Sequence, residues 1–147
     1  LVRNTILLDE MDDITYKRKA REAYLAIEME KLYSKEDILL LYMNTINYGA
    51  GAYGIEAAAQ RYYSKSASDL TLAEAAMLVG IPQSPSYNNP LYYPDNALER
   101  RNVVLDRMVS NKVITKEEAE AAKAAAKAAE APAEPEAEAA AEAPAAE

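Results

Sequence analysis

The sequence predicts an all-α domain followed by a low-complexity tail. Three observations predict the helices: apolar residues recur every three to four positions, capping residues precede several such runs, and glycine and proline concentrate in two loops ahead of the tail. The chain of 147 residues is long enough for a domain with its own core. We therefore expect consecutive helices from Tyr16 into the tail, interrupted by those two loops.

The first helix is predicted from about Tyr16 to Leu32. Its apolar side chains fall at helical spacing on two adjacent rows, Ala20, Tyr24 and Ile27 on one and Leu25, Met29 and Leu32 on the other. A face this broad predicts a helix that is well buried.

The later helix starts are predicted from capping residues. Ser or Thr followed three residues later by Asp or Glu satisfies two backbone N–H groups at a helix N-terminus. This pattern occurs at Ser34 with Asp37, Thr71 with Glu74, and Thr115 with Glu118. Asp95 is the expected cap of the helix that contains NALERRNVVLDRM.

Two irregular segments separate these helices. The first, NYGAGAYG, is rich in glycine, and the second, IPQSPSYNNPLYYP, contains several prolines. Loops of this composition either border a binding site or simply connect helices. Composition favours neither reading.

The tail differs from the body in composition and charge. From Ala121 the chain contains almost only Ala, Glu, Lys and Pro, which cannot form a core. A helix can continue to Glu130, and the prolines from Pro132 onward predict disorder. Residues 116–147 hold three Lys and nine Glu, a net charge of −6, whereas residues 1–115 carry −2. An acidic tail on a nearly neutral body argues against nucleic-acid binding.

Composition also limits the chemistry. The chain contains neither cysteine nor histidine, which excludes disulfides, thiolate metal sites and cysteine nucleophiles. Catalysis must use carboxylates, Lys, Arg, Tyr or hydroxyl groups. The chain begins at Leu1 without a leader, and no apolar run reaches the roughly 18 residues of a membrane span. We expect a segment of a larger protein whose membrane anchor lies elsewhere.

The segment YKRKARE combines four cations with one carboxylate. On a helix, Arg18 lies four residues and Lys19 three residues from Glu22, so both can reach its carboxylate and lower its pKa. Spacing alone favours an ordinary helical ion pair over a functional group.

Three further features have both structural and functional readings. Arg101 falls on the apolar stripe of its helix, which predicts a structural partner, whereas Arg100 is expected to be half exposed. The run DEMDD at residues 9–13 is read as a solvated turn because it lacks the pattern of a calcium-binding loop. The tyrosine pairs at residues 62–63 and 92–93 suit either a core or a lipid–water boundary.

Several motifs in order resemble the family 51 glycosyltransferases. These are the peptidoglycan glycosyltransferase domains of class A penicillin-binding proteins and of monofunctional transglycosylases. The family's third, fourth and fifth motifs have the forms RKxxE, KxxILxxYLN and RRxxVL. The matching segments are RKARE at residues 18–22, KEDILLLYMN at 35–44, with Met43 in place of Leu, and RRNVVL at 100–105.

The family's first two motifs, including the one with the catalytic glutamate, are absent from this sequence. The opening LVRN is similar to the segment that follows the second motif. Residues 1–120 therefore resemble the C-terminal two-thirds of a glycosyltransferase domain, and residues 121–147 are its tail or linker. Without the general base, we expect this segment alone to be inactive.

The resemblance implies a partial lysozyme-like fold and the polymerisation of lipid II into β-1,4-linked glycan strands with release of undecaprenyl pyrophosphate. Glu22, Lys19 and Arg18 match catalytic positions beside the pyrophosphate. Arg3, Lys35 and Asn44 match substrate-binding positions, and Arg100 and Arg101 match structural positions. Between Arg3 and Arg18 this sequence has several acidic residues, whereas the family commonly has another basic residue there.

The resemblance also implies partners and a location. Glu22 is the candidate ligand for a divalent cation, Mg²⁺ or Mn²⁺, and no other cofactor is expected. The partners are lipid II, the growing glycan chain, the membrane surface, and either a transpeptidase domain or other cell-wall synthesis proteins. The location is the extracytoplasmic face of the bacterial cytoplasmic membrane.

Two other functions compete with polymerisation. A degenerate domain would serve as a non-catalytic binding or scaffold module of cell-wall synthesis. A muramidase would share the lysozyme-like architecture, but glycan hydrolysis does not require a cation cluster for pyrophosphate.

Overall fold

The computed structural model describes residues 1–2, residue 6 and residues 15–125. This part of the chain forms six main α-helices. They are α1 Tyr16–Leu32, α2 Lys35–Thr45, α3 Ile55–Tyr63, α4 Leu72–Gly80, α5 Pro94–Ser110 and α6 Lys116–Ala124. Short 3₁₀ helices at Ala67–Asp69 and Ile81–Gln83 flank α4. The described residues contain no β-strand, and one isolated antiparallel bridge joins Asn47 to Tyr53. The prediction of an all-α fold is confirmed.

Three of the predicted capping motifs define helix starts. The hydroxyls of Ser34, Thr71 and Thr115 each accept a hydrogen bond from the backbone N–H three residues later, and the acidic side chain there bonds back to the cap. Each pair satisfies two N–H groups that would otherwise have no helical partner. The starts of α2, α4 and α6 thus follow from local sequence.

The predicted cap at Asp95 is wrong. Helix α5 begins one residue earlier, at Pro94, and its N-cap Tyr93 makes no side-chain capping bond. Proline suits this first position because its fixed φ is helical and its missing N–H would have had no partner there. Asp95 lies in the first turn, where its negative charge favours the helix dipole.

Two apolar clusters hold α3 to α6 together. In the first, α3 and α4 pack against the loop between α2 and α3, and Tyr48, Tyr62, Leu78 and Ile81 are its largest side chains. The second joins α4, α5 and α6 around Leu105 and consists otherwise of small alanines. Because alanine side chains are small, α4, α5 and α6 can pack closely against one another.

Helix α1 has the predicted bounds but not the predicted burial. Arg18 is its one buried residue, whereas Tyr24, Ile27 and Leu32 are each more than half exposed. Helix α1 packs against α2, and neither apolar cluster includes a residue of α1. Helical periodicity identifies a face that can be buried, but burial requires a second apolar layer against it.

The tail helix ends earlier than predicted. Helix α6 stops at Ala124, and Ala125 has extended backbone, so the helix does not reach Glu130. A short isolated helix is only marginally stable in water, even when it is rich in Ala. Residues 126–147 lie outside the described residues, and the predicted disorder there and the domain boundary near residue 120 stay predictions.

Candidate functional site

Helix α1 places the cations and carboxylate of RKARE on one face. The Thr15 hydroxyl accepts a hydrogen bond from the Arg18 backbone N–H at 3.2 Å and starts the helix. Arg18 therefore lies in the first turn, and Glu22 follows one turn later. The local sequence alone accounts for this arrangement.

The two cations converge on a single oxygen atom. Arg18 Nη1 lies 3.1 Å and Lys19 Nζ 3.2 Å from Glu22 Oε2. The Arg18 side chain is 9% exposed, that of Glu22 20%, and that of Lys19 70%. Among the described residues, no hydrogen bond ends on Glu22 Oε1. We call Arg18, Lys19 and Glu22 the Glu22 cluster.

The electrostatics of this cluster keep Glu22 ionised. The hydrogen bond from Lys19, with the charge of Arg18 beside it, holds the pKa of the Glu22 carboxyl below its ordinary value of 4.5. A carboxylate stabilised in this way is a weak proton acceptor at neutral pH. The geometry therefore suits Glu22 to holding the two cations in position.

Arg18 and Lys19 differ in what they can bind. Arg18 is enclosed and fixed by its bond to Glu22, whereas the exposed Lys19 ammonium can turn toward an anion in solvent. Charge-assisted hydrogen bonds to phosphate oxygens are short and strong. The cluster can therefore present a mobile and an anchored cation to a phosphate group.

The other predicted substrate residues make no bond to Glu22 in the part of the chain that the structure describes. Lys35 is the first residue of α2 and Asn44 is close to its end, and both are exposed. No hydrogen bond or ion pair in the described part of the chain joins either residue to Glu22. Arg3 and the acidic run at residues 9–13 lie outside the described residues.

The paired arginines of α5 occupy different environments. Arg101 is 3% exposed, and its Nη2 donates to the Lys123 carbonyl and to Asn102 Oδ1, both at 3.0 Å. This agrees with a structural partner for a buried arginine, here at the C-terminus of α6. Arg100 is partly exposed as predicted, and its buried Nε has no hydrogen-bond partner among the described residues.

The tyrosine pairs divide between core and surface. Tyr62 is buried and its hydroxyl donates to the Tyr48 carbonyl at 2.7 Å, and burial raises the pKa of Tyr62 to about 12. Tyr63 is partly buried, whereas Tyr92 and Tyr93 are more than half exposed. Sequence alone left this distinction open.

A cavity that sequence reasoning did not identify lies between the two irregular loops. It has a volume of about 390 Å³, and its walls include Asn47, Tyr53, Ser86, Tyr92 and Tyr93. We call it the loop cavity. The tyrosines of both loops and the glycines of the first were the available signal, but nothing in the sequence indicated that the loops meet.

Comparisons with known proteins agree on one family. The Transglycosylase family model matches residues 1–109. Penicillin-binding protein 1A of Haemophilus influenzae is 51% identical over 122 residues, which are 83% of this chain and 14% of that protein. Penicillin-binding protein 1A of Escherichia coli is 46% identical over 84% of this chain and 14% of that protein. Penicillin-binding protein 2D of Bacillus subtilis is also 46% identical, over 74% of this chain and 16% of that protein.

A solved structure supports the same assignment. The crystal structure of penicillin-binding protein 1A from Haemophilus influenzae superposes with a TM-score of 0.61 at 49% identity, covering 64% of this chain and 14% of that one. The chain thus spans about one seventh of the length of these relatives. Because the family model matches most of the chain and the relatives are this similar, the chain belongs to the transglycosylase family.

Proposed function

We propose that the protein containing this chain is a peptidoglycan glycosyltransferase that polymerises lipid II into β-1,4-linked glycan strands and releases undecaprenyl pyrophosphate. Membership of the transglycosylase family supports the reaction class. The observation that carries the assignment of roles is the convergence of Arg18 and Lys19 on Glu22 Oε2.

In this reaction the 4-hydroxyl of one sugar attacks the anomeric carbon of another, and the bond from that carbon to pyrophosphate breaks. Negative charge develops on the departing pyrophosphate, where cations stabilise the transition state. Lys19 and Arg18 supply this charge, and Glu22 positions them. We assign the general base to a different group, because both cations already engage Glu22 Oε2.

The remaining matched residues have supporting roles in this proposal. Arg3 and Lys35 contribute further positive charge to bind donor phosphate, and the exposed Asn44 amide hydrogen-bonds substrate. Arg100 and Arg101 hold the scaffold. Arg101 does so by bonding the last turn of α6.

A divalent cation at Glu22 belongs to the same proposal. The described residues contain no group of three or more His, Cys, Asp or Glu that could hold a metal ion. They fit a cation only if Glu22 supplies one ligand and the pyrophosphate and water supply the others, as is common for Mg²⁺. When bound, the cation would add positive charge beside the leaving group.

We infer the cellular setting from the relatives. Penicillin-binding proteins act in cell-wall synthesis, so we place the complete protein at the extracytoplasmic face of the cytoplasmic membrane. Its partners there would be lipid II, the growing glycan and a transpeptidase domain or other cell-wall synthesis proteins. None of the helices described in the structure is both long and apolar enough to span a bilayer.

The Glu22→Gln variant of the complete protein tests the assignment. Without the charge of Glu22, the two cations repel each other and lose their position, so lipid II turnover should fall about 100-fold or more. Glu28→Gln is the matched control, because Glu28 forms a similar pair with Lys31 on the same helix at 2.7 Å. The Glu28→Gln variant should retain turnover. Equal activity of the two variants would show that Glu22 only forms an ordinary helical ion pair.

The same assay separates the remaining alternatives. The chain of 147 residues alone should give no polymer, and product from it would contradict our assignment of the base to another segment. Chelation with EDTA should slow the complete protein if the cation takes part. A complete protein that binds lipid II but never polymerises it would instead be a scaffold module.

A further inference from the structure

Gly54 lies directly against the backbone of Asn44, in the last turn of α2. A Cβ added at Gly54 would lie 2.6 Å from the Asn44 carbonyl oxygen and 3.2 Å from the Asn44 carbonyl carbon. Both atoms belong to the backbone, so a side-chain rotation cannot make room for the extra carbon. Glycine therefore permits a contact between the start of α3 and the end of α2 that a larger residue would push apart.

The backbone conformation of Gly54 also requires glycine. Its φ is +86° and its ψ is 153°, a combination that is open almost exclusively to glycine. Gly54 is the N-cap of α3, and its N–H donates to the Ile46 carbonyl at 2.9 Å. The preceding residue, Tyr53, bridges to Asn47. The loop that follows α2 thus folds back against the end of that helix, and Gly54 is a point where the two backbones touch.

The last turn of α2 carries Asn44 at its surface. Asn44 is exposed, and the hydroxyl of the next residue, Thr45, donates to the Leu41 carbonyl at 2.8 Å. That bond holds the turn together within α2, but it does not set how far the turn lies from α3. Gly54 sets this distance through its bond to Ile46 and its contact with Asn44.

The two other glycines of this loop do not touch Asn44. At Gly51, which has a φ of +74°, a Cβ would meet no atom within 4 Å beyond its chain neighbours in the described part of the chain. At Gly49, which has a φ of +77°, the nearest atom to a Cβ would be the Pro85 carbonyl oxygen at 2.6 Å. All three glycines have a positive φ, but only Gly54 combines it with a contact to the end of α2.

A side chain at Gly54 would therefore displace Asn44. Contacts to a Cβ closer than 3.0 Å do not persist, so the turn that holds Asn44 would have to move away from α3. A group that binds substrate must stay within about 0.5 Å of its productive position. A shift of the backbone at Asn44 would thus weaken any contact that its side chain makes with substrate.

We propose that Gly54 is a positioning residue: its backbone holds the end of α2, and thereby the Asn44 side chain, in place for lipid II. Gly54 acts through Asn44 and makes no substrate contact of its own. The role given to Asn44 rests on the proposed function. The contact between Gly54 and Asn44 rests on the geometry alone.

A double-mutant cycle in the complete protein tests this inference. Asn44→Ala should lower lipid II turnover at least about tenfold, and Gly54→Ala should lower it by a similar factor, because it displaces the same side chain. In the Asn44→Ala background, Gly54→Ala should cost less than about threefold more. A further loss of about tenfold in the double variant, or unchanged turnover in either single variant, would overturn the inference.

Gly51→Ala is the matched control for backbone strain. It places an alanine at a similar positive φ in the same loop, but in open space. Turnover should stay within about threefold of the wild type, because the end of α2 is not displaced. Circular dichroism checks that both variants fold. Loss of the fold by Gly54→Ala would show that the contact serves stability rather than the position of Asn44, and the inference would fail.

NMR of the full 147-residue chain measures the contact without the reaction. The side-chain amide signals of Asn44 should shift in Gly54→Ala and stay in place in Gly51→Ala. Unshifted signals in Gly54→Ala would overturn the inference.

Two outcomes separate this inference from the proposed function. If the complete protein polymerises lipid II and Gly54→Ala does so equally well, the inference fails while the proposed function stands. If the complete protein binds lipid II but does not polymerise it, the proposed function fails. Affinity for lipid II then tests the inference: weaker binding by Gly54→Ala than by Gly51→Ala supports it, and equal binding overturns it.

Discussion

At the scale of single residues, Glu22 shows how neighbouring charges select a role. Both Arg18 and Lys19 contact its carboxylate oxygen Oε2. The hydrogen bond from Lys19 is the main cause of the lowered pKa of Glu22. A carboxylate of this kind remains charged while a substrate approaches. This arrangement suits Glu22 to holding Arg18 and Lys19 in position.

This electrostatic account predicts how Glu22 titrates. In the folded chain the pKa of its carboxyl should lie below the ordinary value of 4.5, so the ion pairs are complete above that pH and are lost as pH falls through the lowered value. Lys19→Ala should raise the midpoint, because it removes the largest lowering interaction. The titration midpoint is measured by carbon-detected NMR of the Glu22 carboxyl.

Lys17→Ala is the control for this titration. Lys17 lies on the same helix but makes no hydrogen bond or ion pair with Glu22 in the described residues. An equal rise of the midpoint in both variants would indicate a general loss of positive charge rather than the specific Lys19 contact.

Sequence predicted the contacts of the Glu22 cluster, but it left open whether the two loops border a site and did not indicate that they meet. The cluster depends on residues three and four positions apart in a single helix, a distance that helical geometry fixes. The loop cavity brings Asn47 and Tyr53 against Ser86 and Tyr93, which are distant in sequence. Only the packing of α3 and α4 determines that these residues meet.

At the scale of helices, the capping motifs control where each element begins. Thr115 starts α6: its N–H donates to Glu118 Oε2 at 2.7 Å, and its Oγ1 accepts from the Glu118 N–H at 3.2 Å. Helix α6 then buries Ala119 and Ala122 against α4 and α5. This short helix depends on both its cap and its packing.

Removing the cap of α6 should therefore weaken the domain measurably. Thr115→Ala should lower the free energy of unfolding by about 1 kcal/mol. Thr115→Ser keeps the accepting hydroxyl and should stay close to the wild type. Urea denaturation followed by circular dichroism measures both variants, and equal losses would show that the threonine methyl, rather than the capping bond, matters.

At the scale of the whole molecule, Arg101 links two helices through the backbone. Its guanidinium reaches across from α5 to the Lys123 carbonyl in the last turn of α6. Helix ends leave carbonyl groups without helical partners, and a buried donor satisfies one of them here. Arg101 thus connects the fifth family motif to the stability of the α4–α6 cluster.

Loss of this link should destabilise the fold without affecting charge at the Glu22 cluster. Arg101→Ala should lower the free energy of unfolding by about 1 to 3 kcal/mol, because it removes the buried guanidinium and leaves the partly buried Lys123 carbonyl without this donor. Arg107→Ala, at an exposed site on the same helix, should change it by less than about 0.5 kcal/mol. Urea unfolding compares the two, and equal effects would refute a scaffolding role for Arg101.

The sequence by itself determined the all-α class, most helix starts, the Glu22 cluster and the family motifs, since each depends on residues close together along the chain. Only the tertiary structure decided that α1 leaves Tyr24 and Ile27 exposed, that Arg101 bonds the end of α6, and that two loops enclose a tyrosine-lined cavity. These features depend on which helices pack together. Helical periodicity indicates which face can be buried, but burial and cavities arise only where another element lies against that face.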